Sequence, residues 1–253
     1  MPAAVSTQQK GVDMRPTNIA GLACGLLAIF ASPVRAFDIN RLQNIGQSDL
    51  RLLSEDLGAA LSYHPQTPTE PLGVTGFDVG LSVTMSKIAN KDALARGVSG
   101  SVPSYLPVPT LRANKGLPLG FDVGLMYSKI PGTDISLWGA EGRWAFLRGG
   151  IAAPAVGLRG TYTKLTGVDQ LDLSTKGLDL SASKGFAMLT PYIGVGRTWI
   201  TSTPHVANLG AEDFALNKFF VGAGFNLFLF NMNFEVDQTG KSTAYSLKAG
   251  IRF

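Results

Sequence analysis

The two histidines, His64 and His205, are the side chains best suited to acid–base chemistry at neutral pH. His205 lies close in sequence to Glu212 and Asp213, which makes it the one candidate base for a hydrolase. His64 lies in a proline-rich stretch without neighbouring acids. A single loop histidine beside acids is more often simply solvated, so we expect no catalytic residue and no enzyme.

The sequence contains no recognisable binding site for a metal ion, a cofactor or a nucleic acid. Metal binding needs clustered His, Cys, Asp or Glu ligands, and no such cluster is present. The 30 glycines lie mainly within predicted strands and form no phosphate-binding loop. The 22 Lys and Arg residues are scattered against 18 acids, so no basic patch for nucleic acid forms. We expect no metal, no cofactor and no nucleic-acid partner.

The composition is that of a chain in contact with lipid. Charged residues make up 16% of the sequence, below the roughly 25% of soluble proteins. The mean hydropathy is +0.16, yet no stretch reaches the ~18–20 apolar residues of a spanning helix. These values exclude a disordered chain and a helical membrane protein. They leave β-structure in a membrane.

Residues 15–36 carry the three-part pattern of a secretory signal peptide. A basic residue precedes a short apolar run, which ends in a small-residue site before Ala36. We expect cleavage after Ala36, leaving a mature chain of residues 37–253. Met14 is a better start than Met1, which would make residues 1–13 a mis-assigned extension.

The mature chain alternates apolar and polar residues with a period of two, as strands do. The polar faces hold mainly Gly, Ser, Asn and isolated Asp, whereas a solvated sandwich face is rich in Lys, Glu and Thr. Small residues suit a crowded lumen. We therefore predict an all-β, antiparallel transmembrane β-barrel over 73–253. Its ten strands are placed at 73–88, 104–112, 117–130, 134–147, 153–165, 169–183, 186–201, 214–228, 230–238 and 243–253.

The strand count is checked by the connections. Short periplasmic turns and longer outer loops are the rule in even-numbered barrels, and the longest connections, 89–103 and 202–213, fall on the outer side. Three prolines weaken the strand at 104–112. A change of phase near Thr175–Gly177 predicts a bulge. Twelve strands remain an alternative, for which 57–64 would supply one.

Charged residues of both signs are predicted to point into the lumen. Two interpretations are open: they pair across a filled interior, because unpaired buried charge is costly, or they line a narrow pathway. The residues are Asp78, Asp122, Glu141, Arg143, Arg159, Asp179, Glu235, Asp237, Lys248 and Arg252.

Residues 37–72 precede the barrel and are predicted to hold a short helix and a proline-rich linker. Ser48 is the predicted cap of the helix. Its apolar stripe needs a partner, so the helix either caps the periplasmic mouth or plugs the lumen. The stripe consists of Leu50, Leu53, Leu57 and Leu61.

The chain ends on an alternating strand at Phe253, behind an export signal. This ending resembles the terminal signal that the barrel-assembly machinery of Gram-negative bacteria recognises. The predicted signal residues are Tyr245, Leu247, Ile251 and Phe253. Tyrosines and tryptophans share the lipid-facing phase, as in aromatic girdles. The expected partners are therefore outer-membrane lipid, lipopolysaccharide and the assembly machinery.

Gly-Phe-Asp-Val-Gly-Leu occurs at 76–81 and again at 120–125. With the stretches 120–141 and 154–197 and the closing strand, it resembles an uncharacterised family of small proteobacterial outer-membrane β-barrel proteins. The resemblance covers most of 48–253 and implies fold and location without an activity. We expect a structural or narrow passive transport role. The alternatives are a surface-exposed binding or adhesion barrel and a rim hydrolase using His205.

Overall fold

The computed structural model describes residues 39–100, 102–130 and 134–253. The predicted signal peptide lies outside these residues. Ten strands form in the described part of the chain. They are β1 (Phe77–Lys87), β2 (Tyr105–Gly116), β3 (Phe121–Lys129), β4 (Ser136–Arg148), β5 (Ala155–Thr166), β6 (Leu171–Ser183), β7 (Leu189–Pro204), β8 (Glu212–Leu227), β9 (Phe230–Thr239) and β10 (Ser242–Arg252).

The ten strands close into one antiparallel barrel in which each strand pairs with its neighbours in sequence. The seam joins β1 to β10, with Asp78 opposite Arg252 and Ser86 opposite Ala244. Phe77 and Phe253 exchange two backbone hydrogen bonds of 2.7 and 3.0 Å at its end. The predicted fold is confirmed at ten strands, and closure gives each of these described strands a partner on both sides along at least part of its length.

The described residues also form two α-helices, which are not part of the barrel wall. Helix α1 spans Gln47–Ala60, and helix α2 spans Lys91–Gly97 in the connection after β1. The predicted Ser48 cap of α1 is wrong, because Gly46 occupies the N-cap position and no side chain caps the helix. Helix α2 lies in the connection 89–103, which was predicted as an outer loop without a helix. No helix of the described residues has both the length and the apolar content to cross a membrane.

The wall alternates as predicted, with apolar side chains outward and polar ones inward. Leu125 is 65% exposed, whereas the inward Lys248 is fully buried. Aromatic side chains form two outward rows, one near each end of the barrel. The rows consist of Phe77, Phe121, Trp144, Phe225, Phe230 and Phe253, and of Tyr105, Tyr127, Trp138, Tyr162, Trp199 and Tyr245.

The two ends differ in the length of their connections. The turn end holds the start of β1, the end of β10 and short connections such as 228–229. The loop end holds the longest connection, 88–104, and the connection 205–211. By the rule for bacterial barrels, the turn end faces the periplasm and the loop end faces outward.

The bulge predicted near Thr175–Gly177 is wrong. Strand β6 pairs without interruption with both neighbours through this region. The apparent change of phase arises because Leu171 and Leu173 point inward, where they belong to the apolar core. The register of the wall shifts instead in β4, between Trp144 and Leu147.

Strand β2 tolerates prolines for a reason visible in the pairing. The β2–β3 ladder starts only at Leu111, so Pro107 and Pro109 lie where one side of β2 has no partner strand among the described residues. Such an edge accepts a residue that lacks an N–H donor. At the start of β3, Pro118–Gly120 forms a short 3-10 turn instead of the predicted strand.

Candidate functional site in the barrel lumen

The lumen is occupied by the chain's own residues 47–72, and residues 39–46 lie against the loop-end connections. Helix α1 lies against the inner face of the wall and contacts β1, β6, β7, β8 and β10. Its stripe residues Leu50, Leu53 and Leu57 are at most 1% exposed. They share one apolar core with wall side chains near the loop end, among them Leu106, Val108, Met126, Leu137, Leu165, Leu171 and Leu173.

Close contacts fix the depth of α1 in the barrel. Gly58 lies so near the wall that a Cβ there would sit 2.5 Å from Cδ1 of Ile200. One turn earlier, the Ser54 hydroxyl donates to Ser202 Oγ at 2.7 Å, and both residues are fully buried. The Asp56 carboxylate accepts bonds from the Ala89 and Asn90 amides at 3.2 and 2.7 Å. Together these contacts hold α1 at one depth in the barrel.

The first turn of α1 lies at the loop end. Arg96 of α2 donates to the Asp49 carboxylate at 2.5 and 2.9 Å, which holds the pKa of Asp49 below its usual value. Gly210 donates its amide to Gln47 Oε1 at 2.9 Å. The sequence allowed two positions for this helix, a cap on the periplasmic mouth or a plug in the lumen. In the structure α1 lies in the lumen, in the half nearer the loop end.

The linker, residues 61–72, runs from α1 through the lumen to the turn end. Wall side chains bind its backbone along the way: Lys218 Nζ donates to the Tyr63 carbonyl and Arg112 Nη1 to the His64 carbonyl, each at 2.6 Å. Glu235 Oε2 accepts the Gln66 amide at 2.7 Å. Gln66 has φ +52°, an uncommon conformation for this residue type that persists when its surroundings fix it.

The lower half of the linker is held in the same way. Arg143 donates to Thr67 Oγ1 at 2.9 Å and to the Pro68 carbonyl at 3.0 Å, and pairs with Asp122 at 2.9 Å. The other oxygen of Asp122 accepts the Leu72 amide at 3.0 Å. Arg143 and Asp122 together tie the linker to β3 and β4.

The predicted lumen charges all lie on inward strand positions. Nine of the ten are at most 7% exposed, and Arg252 is partly exposed. Most pair along the inner wall with a charge one or two strands away, and not across the interior as the first interpretation had it: Glu141 with Arg159 at 2.9 Å, Asp179 with Lys218 at 3.6 Å, and Asp78 with Lys248.

Sequence reasoning missed two inward cations, Arg112 and Lys218. The signal was present, since each lies in the polar phase of its strand. With them, the described strands direct six cations (Arg112, Arg143, Arg159, Lys218, Lys248 and Arg252) and, with Glu212 at the loop-end start of β8, seven anions (Asp78, Asp122, Glu141, Asp179, Glu212, Glu235 and Asp237) into the lumen.

The histidines have different surroundings. His64 is buried, and its Nδ1 lies 2.6 Å from Asp237 Oδ2. His205 is exposed at the loop end, with Nε2 3.1 Å from Asp172. The expected grouping of His205 with Glu212 and Asp213 is wrong, because its backbone amide bonds Gln170 and draws it to the β5–β6 connection. No cluster of three potential metal ligands occurs among the described residues.

One small cavity lies beside the linker among the described residues. It has a volume of about 10 Å³ and lies between His64, Gln66, Thr84 and Arg112. This volume has room for about one water molecule.

No protein-family model matches the chain. No curated protein matches it either. The family resemblance therefore stays a prediction.

Solved structures of bacterial outer-membrane proteins do match. The β domain of the Bordetella autotransporter BrkA is 10% identical, with a TM-score of 0.42 over 70% of this chain and 98% of that one. The KdgM porin, in complex with disordered oligogalacturonate, is 7% identical, with a TM-score of 0.36 over 70% and 99%. Omp33 of Acinetobacter baumannii is 7% identical, with a TM-score of 0.32 over 74% and 100%. At these TM-scores no conclusion rests on the likeness.

The location follows from the wall itself. The outward face carries an apolar belt, with residues such as Val79, Leu125 and Ile193 about half exposed or more, between two rows of aromatic side chains. A closed, even-stranded barrel with these features belongs in the bacterial outer membrane. The protein is an outer-membrane β-barrel.

Proposed function

We propose that this protein is a structural outer-membrane barrel that is kept closed by its own N-terminal segment. The observation that supports this role best is the set of bonds from charged wall residues to the linker backbone. Arg112, Arg143 and Lys218 each direct a charged donor to a linker carbonyl. Such charge-assisted bonds are about twice as strong as neutral ones.

A narrow transport pathway is the weaker interpretation. A pathway needs continuous space and charges that face water, whereas most of these lumen charges are buried and paired. The cavity beside the linker holds about one water. We also propose no enzymatic role: among the described residues, the ring of His205 bonds the Asp169 carbonyl and the exposed Asp172 carboxylate, and no Ser or Cys nucleophile is among these partners.

We further propose that residues 1–36 are removed after export and that the final strand directs assembly. Tyr245, Ile251 and Phe253 point outward and are 44–65% exposed, so an assembly factor can reach them before lipid covers them. Leu247 shares their face and is less exposed. The seam bonds of Phe253 give this residue a second role in closure.

A planar-bilayer recording of the full-length protein tests the closed role. The protein, verified as folded by its heat-modifiable migration, is expected to give no resolvable conductance steps, because residues 47–72 block the path through the lumen. A bacterial porin reconstituted in the same bilayer is the positive control. Steady conductance from the folded, full-length barrel would overturn the proposal in favour of passive transport.

A further inference from the structure

Three cations of neighbouring strands lie on the lipid-facing side of the wall without a carboxylate beside them. Lys164 of β5, Lys176 of β6 and Arg197 of β7 occupy outward strand positions and are half-buried or exposed. In the described part of the chain no carboxylate lies within 4.0 Å of their charged atoms. We call these three residues the basic patch.

The strand pairing brings the basic patch together. Lys176 lies opposite Trp199 and opposite Tyr162. Lys164 and Arg197 are therefore its diagonal neighbours, roughly 7–8 Å away between backbones and within reach of long side chains. Lys176 thus has a like charge on each side, and these charges repel it. An anion between them would remove the repulsion.

The basic patch lies at one level of the membrane. Counted from the turn end, the outward residues of β5, β6 and β7 are uncharged until Lys164, Lys176 and Arg197 are reached. Tyr162, Trp199 and Trp138 surround the patch, and such aromatic residues settle at headgroup level. The cations therefore lie at the outer edge of the apolar belt.

Strands β8, β9 and β10 lack this charge. The first polar outward residues of β8, β9 and β10, reached in the same way, are the uncharged Asn217, Gln238 and Thr243. Lys87 of β1 and Lys129 of β3 are outward cations too, but neither has another outward cation at its own level on an adjoining described strand. Three such cations at one level on adjacent strands occur only in the basic patch among the described strands, and a discrete ligand can contact all three.

We infer that the basic patch binds the phosphate groups of a phosphorylated glycolipid of the outer leaflet. This inference rests on the proposed function, an outer-membrane barrel, and on the outward-facing loop end described above. Lys and Arg near an anionic membrane surface bind its headgroups, and a guanidinium takes a phosphate with two parallel hydrogen bonds. The adjoining outward residues Leu158, Leu178 and Val195 offer an apolar surface to the acyl chains.

Diphosphorylated lipid A is the probe that tests this site. The full-length protein in detergent is titrated with it, and binding is followed by native mass spectrometry and tryptophan fluorescence. The variant Lys164→Gln/Lys176→Gln/Arg197→Gln is expected to bind on the order of a hundredfold more weakly, since each charge at an anionic surface contributes about a fivefold factor. Lys176→Arg, which keeps the charge, is expected to retain the affinity.

The matched control removes three other loop-end cations, Lys87, Lys91 and Lys241, and is expected to bind as the unchanged protein does. Unchanged affinity of the patch variant, equal weakening by the control, or equal binding of lipid A without phosphates would overturn the inference. Displacement of the lipid by equimolar inorganic phosphate would overturn it too, since the site would then bind a free anion. The conductance of the patch variant should stay absent, so a failure here is separable from a failure of the closed role.

Discussion

A chain that lacks residues 39–72 is expected to form an ion-conducting barrel where the full-length protein is closed. Of these, residues 47–72 fill the lumen from the loop end to the turn end, whereas the wall closes through bonds between strands alone. The strands keep their lipid-facing belt without the segment. Its removal therefore exposes a continuous, water-filled interior.

The charge of that interior predicts the kind of conductance. The described strands contribute six inward cations and seven inward anions, Glu212 included, so charges of the two signs nearly balance in the emptied lumen. Conductance should appear with weak preference between anions and cations, because strong selectivity needs a ring of one sign.

Planar-bilayer recordings of the shortened and the full-length protein, each with its export signal intact during expression, measure the effect. Folding of both is verified by heat-modifiable migration. A folded but silent shortened barrel would contradict closure by residues 39–72. Failure of the shortened chain to assemble would contradict the independence of the wall from the segment.

Replacing Arg143 with Met is expected to reduce the free energy of unfolding by about 3–5 kcal/mol, the usual cost of stranding a buried charge. The side chain of Arg143 is 7% exposed and that of its partner Asp122 is 2% exposed. The substitution leaves the Asp122 carboxylate without its cation and removes two bonds to the linker.

A double variant separates these contributions. Arg143→Met/Asp122→Asn removes the stranded charge while the linker bonds stay lost, so we expect it to regain about half of the stability. Urea unfolding in lipid vesicles, followed by tryptophan fluorescence, gives the free energies. Lys129→Met, which removes an exposed outward cation, is the control and should change little. A loss below about 1 kcal/mol for Arg143→Met would contradict a buried, structural role for this pair.

The strands were predictable because each wall strand has one side facing lipid and one facing the lumen. Apolar and polar residues therefore alternate along the strand with a period of two. The same pattern does not record what fills the lumen. Leu171 and Leu173 suggested a bulge because apolar inward residues were unexpected, and only the position of α1 explains them. Lys218 was overlooked although its phase placed it inward.

Contacts between loops could not be predicted from the sequence, for a different reason. The partner of His205 is fixed by a backbone bond to Gln170 across two connections, and no local pattern encodes such a contact. Helix α2 has seven residues, too short for a clear apolar period. The resemblance to a barrel family implied the fold but no contact inside the lumen.

Disulfide formation between Ser54→Cys and Ser202→Cys in the outer membrane of intact cells tests the central claim most directly. The two hydroxyl oxygens lie 2.7 Å apart, and the one native cysteine, Cys24, belongs to the predicted leader. Ser48→Cys/Ser202→Cys is the control, because Ser48 is exposed on the first turn of α1. With α1 inside the barrel, the first pair oxidises fully, as a shift in mobility on a non-reducing gel, and the control pair stays reduced. If both introduced thiols of the first pair stay free and react with maleimide in the folded protein, the result would contradict a lumen closed by its own N-terminal segment.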